Sequence, residues 1–202
     1  MAIWSWDGVV PVIDPTAFVH PEATVIGDVL IGPACYVGPR AVLRGDFGRI
    51  TMDEGANLQE TCVVHAFPDK DVVIGPHGHI GHGAVLHGCR IGRNAMVGMN
   101  AVVMDEAEIG ENAILGALAF VKAGAAIPAG HLAMGSPARV VRPLTAEEID
   151  WKSRGTAIYQ RLALEARDKL APAEPLPVPE PDRRRVHAPA YDPLILDRLA
   201  RD

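Results

Sequence analysis

The sequence is poor in aromatic residues, in cysteine and in positive charge. Phe, Trp and Tyr make up 5% of the 202 residues, so the core has to be built from aliphatic side chains. The three cysteines, Cys35, Cys62 and Cys89, are odd in number and widely spaced, which does not suggest a disulfide framework. We expect them to be small buried apolar residues. The formal net charge of −6 is unlike that of nucleic-acid-binding proteins, which carry a basic excess.

Long apolar runs are also missing. No stretch approaches the roughly 20 apolar residues that span a bilayer, and the first residues do not combine a charged head, an apolar run and a cleavage site. We therefore expect a cytoplasmic protein with neither a membrane nor a nucleic acid as its partner. The chain does have 20 glycines and 17 prolines, which predicts many turns.

A repeat of six residues organises most of the chain. Neither a helix of period 3.6 nor a strand of period 2 explains it, but a coil of short strands with a bend after each strand does. Three repeats make a triangular coil of 18 residues, and stacked coils bury a continuous aliphatic core. Glycine often follows the aliphatic residue, where we expect it to give conformational freedom at the corner. The frame is lost over residues 45–73, and its aliphatic positions are Val25, Ile31, Val37, Leu43, Ile74, Ile80, Leu86, Ile91, Val97, Val103, Ile109, Leu115, Val121 and Ile127.

Three parts follow from this pattern. Residues 1–142 form the β-helix domain, residues 143–170 a helix packed on it, and residues 171–202 a proline-rich extended tail with a short possible helix near 193–200. A capping box formed by Thr145 and Glu148 predicts that the helix begins at Ala146 and runs to about Leu170. Its predicted packing stripe consists of Ile149, Ile158, Leu162 and Leu170.

Three of the eight histidines stand in a distinctive setting. His65 and His82 are 17 positions apart, close to one coil, so we expect them on nearly the same edge. His82 and His87 are five positions apart, which separates them by about 16 Å along an extended chain. Two ligands of one tetrahedral zinc ion lie within roughly 3.5 Å of each other. If all three histidines bind one metal, two chains must therefore contribute, which predicts an oligomer such as a threefold trimer.

Nearby polar residues strengthen this interpretation. Arg44 and Asp46 lie two apart on one extended segment and could form an ion pair between subunits. Gln59 is an uncharged donor and acceptor able to orient a metal-bound water. The plainer alternatives, an exposed ion pair and a polar corner residue, stay open on the residues alone.

The motifs resemble those of the γ-class carbonic anhydrase family of hexapeptide-repeat proteins, and within it the branch of phenylacetate-degradation and carnitine-operon proteins (PaaY and CaiE). The resemblance covers residues 5–165, and it rests on residues 43–50 (LRGDFGRI), 78–89 (GHIGHGAVLHGC), 97–100 (VGMN) and 135–138 (GSPA). It implies a mainly β fold, a left-handed parallel β-helix with a C-terminal α-helix, assembled as a homotrimer.

The resemblance also implies a set of site residues. A metal, zinc or alternatively iron(II) or cobalt(II), is bound by His65 and His87 of one subunit and His82 of its neighbour. Arg44 and Asp46 match the intersubunit ion pair of the family, and Gln59 the residue that contacts the metal-bound water. Two further residues belong to this set: Glu60 stands where the family usually has Asp, and Asn100 lies in the loop near the site.

The reaction is less constrained than the metal. Three neutral histidines around zinc can lower the pKa of bound water to about 7, and the hydroxide can attack carbon dioxide or a thioester carbonyl. Carbonic anhydrases of this class place one acidic proton shuttle where Phe47 stands and another shortly after the first histidine, where Ala66, Phe67 and Pro68 follow His65. The missing acids disfavour fast hydration, with Asp69 and Asp71 as the nearby alternatives. We expect hydrolysis of acyl-coenzyme A thioesters, with Phe47 and Phe67 forming an acyl pocket and Tyr159 near its mouth. Carbonic anhydrase activity, acyl transfer and a non-catalytic trimeric scaffold stay as alternatives.

Overall fold

The chain winds into a parallel β-helix of about seven turns, with a C-terminal helix packed on one side. The computed structural model describes residues 2–187 and 191–192. The strands form three faces, and each coil contributes one short strand to each face. The predicted mainly β, hexapeptide-repeat architecture with one C-terminal helix is confirmed, while the left-handed sense of the coil stays a prediction from the resemblance.

The first and second faces join into one twelve-stranded sheet, because two long strands bend through the corner between them. The first face consists of β1 (Ala2–Trp4), the first parts of β4 (Thr24–Ile31) and β6 (Val42–Met52), β8 (Val63–His65), β11 (Val85–His87), β14 (Val102–Val103) and β17 (Phe120–Val121). The second face consists of β2 (Val12–Ile13), the later parts of β4 and β6, β9 (Val72–Ile74), β12 (Arg90–Ile91), β15 (Glu108–Ile109) and β18 (Ala126–Ile127).

The third face is a separate eight-stranded sheet. Its strands are β3 (Phe18–Val19), β5 (Tyr36–Val37), β7 (Asn57–Leu58), β10 (His79–Ile80), β13 (Met96–Val97), β16 (Ile114–Leu115), β19 (His131–Met134) and the antiparallel β20 (Arg139–Pro143). We call the turns from the first to the second face the first corner, and the turns from the third to the first face the third corner.

The aliphatic positions of the repeat fill the interior of the coil. Leu43, Leu86 and Leu115 have at most 1% of their surface exposed, and the three cysteines are buried with free thiols. The desolvation of this interior raises the pKa of Cys62 to about 11, so its thiol stays protonated. The predicted core residues and the reading of the cysteines as buried apolar residues are both confirmed.

The six-residue repeat continues within residues 45–73, where the sequence alone does not show it. Met52, Leu58 and Val64 are spaced by six and are buried. Two insertions at the first corner hide this continuity, because they lengthen the coils: Leu43 pairs with Val64, 21 residues on, and Val64 pairs with Leu86, 22 residues on. The insertions therefore shift the sequence frame without disturbing the stacking of the strands.

Glycine after the aliphatic residue has a different role from the predicted one. Gly98 does not adopt a positive φ. A Cβ added there would lie 2.4 Å from the backbone nitrogen of Ala117 in the next coil, far inside van der Waals contact. The glycine is required because two coils approach closely at the corner, and conformational freedom is not the reason.

The helix α1 (Ala146–Lys169) begins with the predicted capping box, in which Thr145 Oγ1 accepts from the Glu148 amide and the Glu148 carboxylate accepts from the Thr145 amide. It packs against β3, β5 and β7 of the third face. Within the described part of the chain, no helix is both long and apolar enough to cross a membrane.

The predicted apolar stripe of this helix is wrong at Leu162 and Leu170, because polar side chains and the small Ala163 make the buried contacts instead. Leu162 and Leu170 are 38% and 52% exposed, whereas Glu148, Lys152 and Thr156 are each 2% exposed. Lys152 Nζ donates to the His77 carbonyl at 2.9 Å and to Asn94 Oδ1 at 2.6 Å. Arg142 holds Glu148 through two hydrogen bonds of 2.7 and 2.8 Å.

The tail after α1 is exposed and without regular structure through residue 187, as a proline-rich segment of this composition predicts. Arg183 pairs locally with Glu180 at 2.6 Å. The short helix predicted near 193–200 lies outside the described residues.

A buried leucine of the repeat tests the core. Replacing Leu115 with alanine removes a side chain that is 0% exposed, and we expect a loss of about 2–5 kcal/mol in the free energy of unfolding. Leu164→Ala on α1, where the leucine is 54% exposed, should change stability by no more than about 0.5 kcal/mol. Urea denaturation followed by circular dichroism measures both, and equal effects would contradict the assigned core.

Lys152 predicts a dependence of stability on pH. Burial lowers the pKa of Lys152 from 10.5 to about 7, so the unfolded chain binds more protons than the folded protein between these values. Burial of charged Lys152 lowers the free energy of unfolding fully below about pH 7, and this loss decreases as the pH rises toward 10.5. The melting temperature of the wild type relative to Lys152→Met should therefore rise over this window. Lys122→Met, at an exposed position, is the control, and a difference independent of pH would refute the assignment.

Candidate metal and substrate site

Two of the three predicted ligands meet at the first corner. His65 ends β8 and His87 ends β11, and the two residues are direct partners in the parallel ladder between these strands. Because the strands stack in register, the two imidazoles project side by side. His65 Nδ1 lies 3.3 Å from His87 Nε2, close to the roughly 3.4 Å that separates two ligands of one tetrahedral zinc ion.

A carboxylate holds the other nitrogen of each ring. Asp46 Oδ1 lies 3.0 Å from His65 Nε2, and Asp105 Oδ1 lies 2.7 Å from His87 Nδ1. Each of these ring nitrogens donates to its carboxylate, so a neutral imidazole presents a lone pair at its remaining nitrogen. The two lone pairs face each other and repel, and a cation between them would convert the repulsion into ligation. Carboxylate, histidine and metal form this arrangement in many metalloproteins.

Burial favours the neutral form of the His65 ring. Desolvation is the largest influence on His65 and lowers the pKa of its imidazole, outweighing the hydrogen bond to Asp46. Desolvation acts in the opposite direction on Asp46, but hydrogen bonds from Arg44 and His65 outweigh it and lower the pKa of that carboxyl. His65 is therefore in the protonation state that a metal requires.

Arg44 and Asp46 pair with each other within a single chain, with Arg44 Nη1 2.6 Å from Asp46 Oδ2. They lie on the long strand β6, where alternate residues project to one side. The side chain of Arg44 is 41% exposed whereas that of Asp46 is 10% exposed. Arg44 thus remains able to reach a neighbouring molecule, and the intersubunit role stays a prediction.

The two predicted acyl-pocket residues flank the histidine pair. The ring of Phe47 lies 5.2 Å from that of His65, and the ring of Phe67 lies 5.0 Å from that of His87. Both phenylalanines are about half exposed. The insertions at the first corner carry these rings, so the same segments that lengthen the coils surround the histidines with apolar surface.

The third predicted ligand, His82, lies at the third corner, three residues before the start of β11, whereas His87 ends that strand. The expectation that His65 and His82 share an edge is wrong, because the insertion after His65 lengthens this coil to 22 residues and brings His87 beside His65. Within the described residues of one chain, no group of three or more His, Cys, Asp or Glu could hold a metal ion. A three-histidine site on these residues would need two chains.

Glu60 orients His82 as Asp46 and Asp105 orient the other two. Glu60 Oε2 lies 2.5 Å from His82 Nδ1, which leaves His82 Nε2 facing outward, and Glu60 Oε1 accepts from the Tyr36 hydroxyl at 3.1 Å. The longer side chain of glutamate therefore still reaches the histidine. Asn100 lies one coil further on at the same corner, and its backbone nitrogen donates to the His82 carbonyl at 2.9 Å.

Gln59 and Tyr159 also lie beside the third corner, away from the histidine pair of their own chain. Gln59 is 2% exposed, and its Nε2 contacts Asn57 Oδ1 at 3.1 Å and His79 Nε2 at 2.8 Å. Tyr159 of α1 packs edge-on against His79 at 5.3 Å. Desolvation lowers the pKa of His79 to about 3, so this ring stays neutral. The water-orienting role of Gln59 and the role of Tyr159 remain predictions.

The roles of Asp105 and Tyr36 and the contacts of His79 were not predicted from the sequence. Asp105 follows His87 by 18 residues, which is one regular coil, so the coil spacing could have identified it. Tyr36 contacts Glu60 across a coil that an insertion lengthens, and His79 contacts Thr156 of α1. In neither case does the residue spacing predict the contact. Their contacts required the folded structure.

The comparisons with known proteins agree with this architecture. The bacterial transferase hexapeptide model (six repeats) matches residues 88–123. The carnitine operon protein CaiE of Proteus sp. (strain LE138) is 49% identical over 92% of this chain and 94% of its own length. Two crystal structures superpose well. A Bacillus cereus protein proposed to be an acetyltransferase has a TM-score of 0.80 and 33% identity, over 81% of this chain and 95% of its own. A hexapeptide transferase family protein from Anaplasma phagocytophilum has a TM-score of 0.79 and 38% identity, over 84% of this chain and 98% of its own.

The carboxylate behind His87 predicts an effect on metal affinity. Replacing Asp105 with alanine removes the acceptor that orients the ring, and we expect zinc to bind about 10–100-fold more weakly. Glu108→Ala, at an exposed position three residues further on, should leave the affinity unchanged. Competition with a chromogenic chelator measures both dissociation constants. Equal affinity of the Asp105→Ala protein and the wild type would rule out an orienting role.

Proposed function

The chain belongs to the hexapeptide-repeat family of the carnitine operon protein CaiE, and on that premise we propose that it is a metal-dependent hydrolase of acyl-coenzyme A thioesters. The finer placement we propose is the γ-class carbonic anhydrase-like branch that includes the phenylacetate-degradation proteins. One observation carries the proposal: two imidazole nitrogens lie 3.3 Å apart, each ring held by a carboxylate, while a third oriented histidine lies three residues before the start of the strand that His87 ends.

The assembly we propose is a cyclic homotrimer in the cytoplasm. In a cyclic trimer one corner of each subunit can face a different corner of the next, so His65 and His87 of one subunit can meet His82 of its neighbour. Three identical sites would result. The half-exposed Arg44, Phe47 and Phe67 at the first corner would then lie in the contact between subunits.

Zinc is the metal we propose, since three imidazoles with an open fourth position suit it, and when bound it supplies a Lewis acid that makes water nucleophilic near neutral pH. The residues of the chain prepare the rings for this role. Asp46, Asp105 and Glu60 each accept a hydrogen bond from a ring N–H, which keeps the opposite nitrogen of the imidazole available as a ligand.

The first corner favours a thioester over carbon dioxide. Phe47 and Phe67 present apolar rings beside the histidines, and neither ring can carry a proton away, which fast hydration of carbon dioxide demands. The same rings can contact the part of an acyl group that lies nearest the metal. Hydrolysis consumes one water and one thioester and yields a carboxylic acid and free coenzyme A.

Acyl transfer is the second candidate. The Bacillus cereus relative, proposed to be an acetyltransferase, superposes with a TM-score of 0.80 at 33% identity. An assay of thiol release from a panel of acyl-coenzyme A esters, with and without an amine acceptor, separates the two reactions. Hydrolysis releases thiol without the acceptor, whereas transfer depends on it. Release that survives complete removal of the metal would contradict the metal-dependent mechanism, and rapid carbon dioxide hydration without thiol release would favour a carbonic anhydrase.

The shared site predicts complementation between inactive chains. His82→Ala and His87→Ala homotrimers should each be inactive, because every site lacks one ligand. When the two chains are unfolded together and refolded at equal concentration, about one site in four combines an intact His87 with an intact neighbouring His82. We therefore expect about one quarter of the wild-type thiol release.

The control for this experiment mixes His82→Ala with the double variant His82→Ala/His87→Ala. No chain in that mixture carries His82, so activity should stay absent. Sedimentation velocity checks that all mixtures assemble as trimers. Trimers that form but recover no activity in the first mixture would reject a site shared between subunits.

A further inference from the structure

A cavity of about 550 Å³ lies between α1 and the third corner of the β-helix. Met96 and Met99 form its floor on the β-helix, and Ile158 and Leu162 form its roof on the helix. Its volume falls within the range of about 300–1,000 Å³ that is typical of small-molecule sites. Methionine side chains adapt to ligands of different shape, so this lining suits a variable apolar group.

The outer wall of the cavity is fixed by a contact with the tail. Trp151 of α1 stacks on Tyr191 at 5.4 Å, and its Nε1 donates to the Asp192 carbonyl at 2.9 Å. Both aromatic residues line the cavity. A hydrogen bond and a stacked ring hold the indole in place, so the wall is preformed.

Two polar side chains that line the cavity, Lys152 and His79, already have protein partners. Lys152 donates to a backbone carbonyl and to Asn94, and the neutral ring of His79 contacts Gln59 Nε2 at 2.8 Å and Thr156 Oγ1 at 3.2 Å. An uncharged apolar ligand leaves these contacts in place, so the chemistry of the lining favours it.

His82 connects this cavity to the proposed site. It lines the cavity, and it is also the ligand that would face the histidine pair of the neighbouring subunit. A thioester whose carbonyl lies at the metal would have its acyl group beside His82, where the cavity begins.

We propose that the cavity between α1 and the third corner receives the acyl group of the substrate and selects acyl groups of about six carbons or more, including aromatic ones, over acetyl. This inference rests on the proposed function and adds the substrate class to it. Complete burial of one methylene group strengthens binding about fourfold. Even with partial burial of its four additional carbons, hexanoyl-coenzyme A should have a kcat/KM at least about tenfold higher than acetyl-coenzyme A.

Two leucines of α1 provide a matched test. Leu162 lines the cavity, whereas Leu164, two residues further on, does not, and both are exposed enough for a tryptophan to be accommodated. In Leu162→Trp the indole should fill the cavity and lower kcat/KM for hexanoyl- and benzoyl-coenzyme A at least about tenfold, with acetyl-coenzyme A changed less than about twofold. Leu164→Trp should resemble the wild type with all three esters.

A second filling variant, Ala117→Trp, approaches the cavity from the β-helix and should reproduce the selective loss if Leu162→Trp assembles poorly. Equal use of acetyl and hexanoyl esters by the wild type would overturn the inference while leaving the hydrolase intact. An equal loss with every ester in both filling variants would overturn it as well.

A binding measurement tests the apolar cavity without requiring that the protein hydrolyse thioesters. If no thioester is hydrolysed, the proposed function fails, and calorimetry with the uncleavable thioether S-hexyl-coenzyme A still reports on the cavity. Binding to the wild type and to Leu164→Trp, with at least about tenfold weaker binding to Leu162→Trp, supports an apolar binding site. Equal binding to all three proteins excludes it.

Discussion

The in-register stacking of successive coils is the constraint on which the rest of this structure depends. Each strand before β20 pairs in parallel with the strand one coil away, so residues far apart in sequence become neighbours at a fixed separation. His65 and His87 become a pair of facing imidazoles for this reason alone. Close approach at the corners is possible because residues such as Gly98 leave no Cβ between the coils. The aliphatic interior and the histidine pair are thus consequences of one ladder of backbone hydrogen bonds.

Insertions at the first corner change the surface of the β-helix without changing its interior. They bring Phe47 and Phe67 beside the histidines, while Met52, Leu58 and Val64 keep their places in the core. A corner can accept extra residues because its chain lies outside the ladder and runs over the surface. The third corner keeps short turns and receives α1 instead, so the apolar cavity forms there. The two corners consequently hold complementary halves of the proposed site.

Much of this organisation could be predicted from the sequence, and the exceptions share a physical cause. The period of six identified the core, and the capping box of Thr145 and Glu148 marked the start of α1, because both depend on local spacing. The placement of His82 beside His65 failed, because the prediction assumed coils of constant length. The packing stripe of α1 failed in part, because helical periodicity does not reveal polar anchors such as Lys152, whose partners lie some 60 to 75 residues away. A subunit contact leaves no periodic signal in the sequence, so the trimer rests on resemblance and ligand geometry.

The reversal of direction at the end of the β-helix has a consequence for how copies of the molecule can associate. The last coil of a stack of parallel strands has an edge with unpaired backbone N–H and C=O groups. The first coil of another molecule could pair with this edge, and repeated addition would form a fibre. On the third face the antiparallel strand β20, which contains Arg139 and Arg142, pairs with β19 and covers this edge. On the first face, the Ala138 amide donates to the Phe120 carbonyl and covers part of the same edge. The protein can therefore present an extended ladder of backbone groups along its length and still resist growth into fibres from this end.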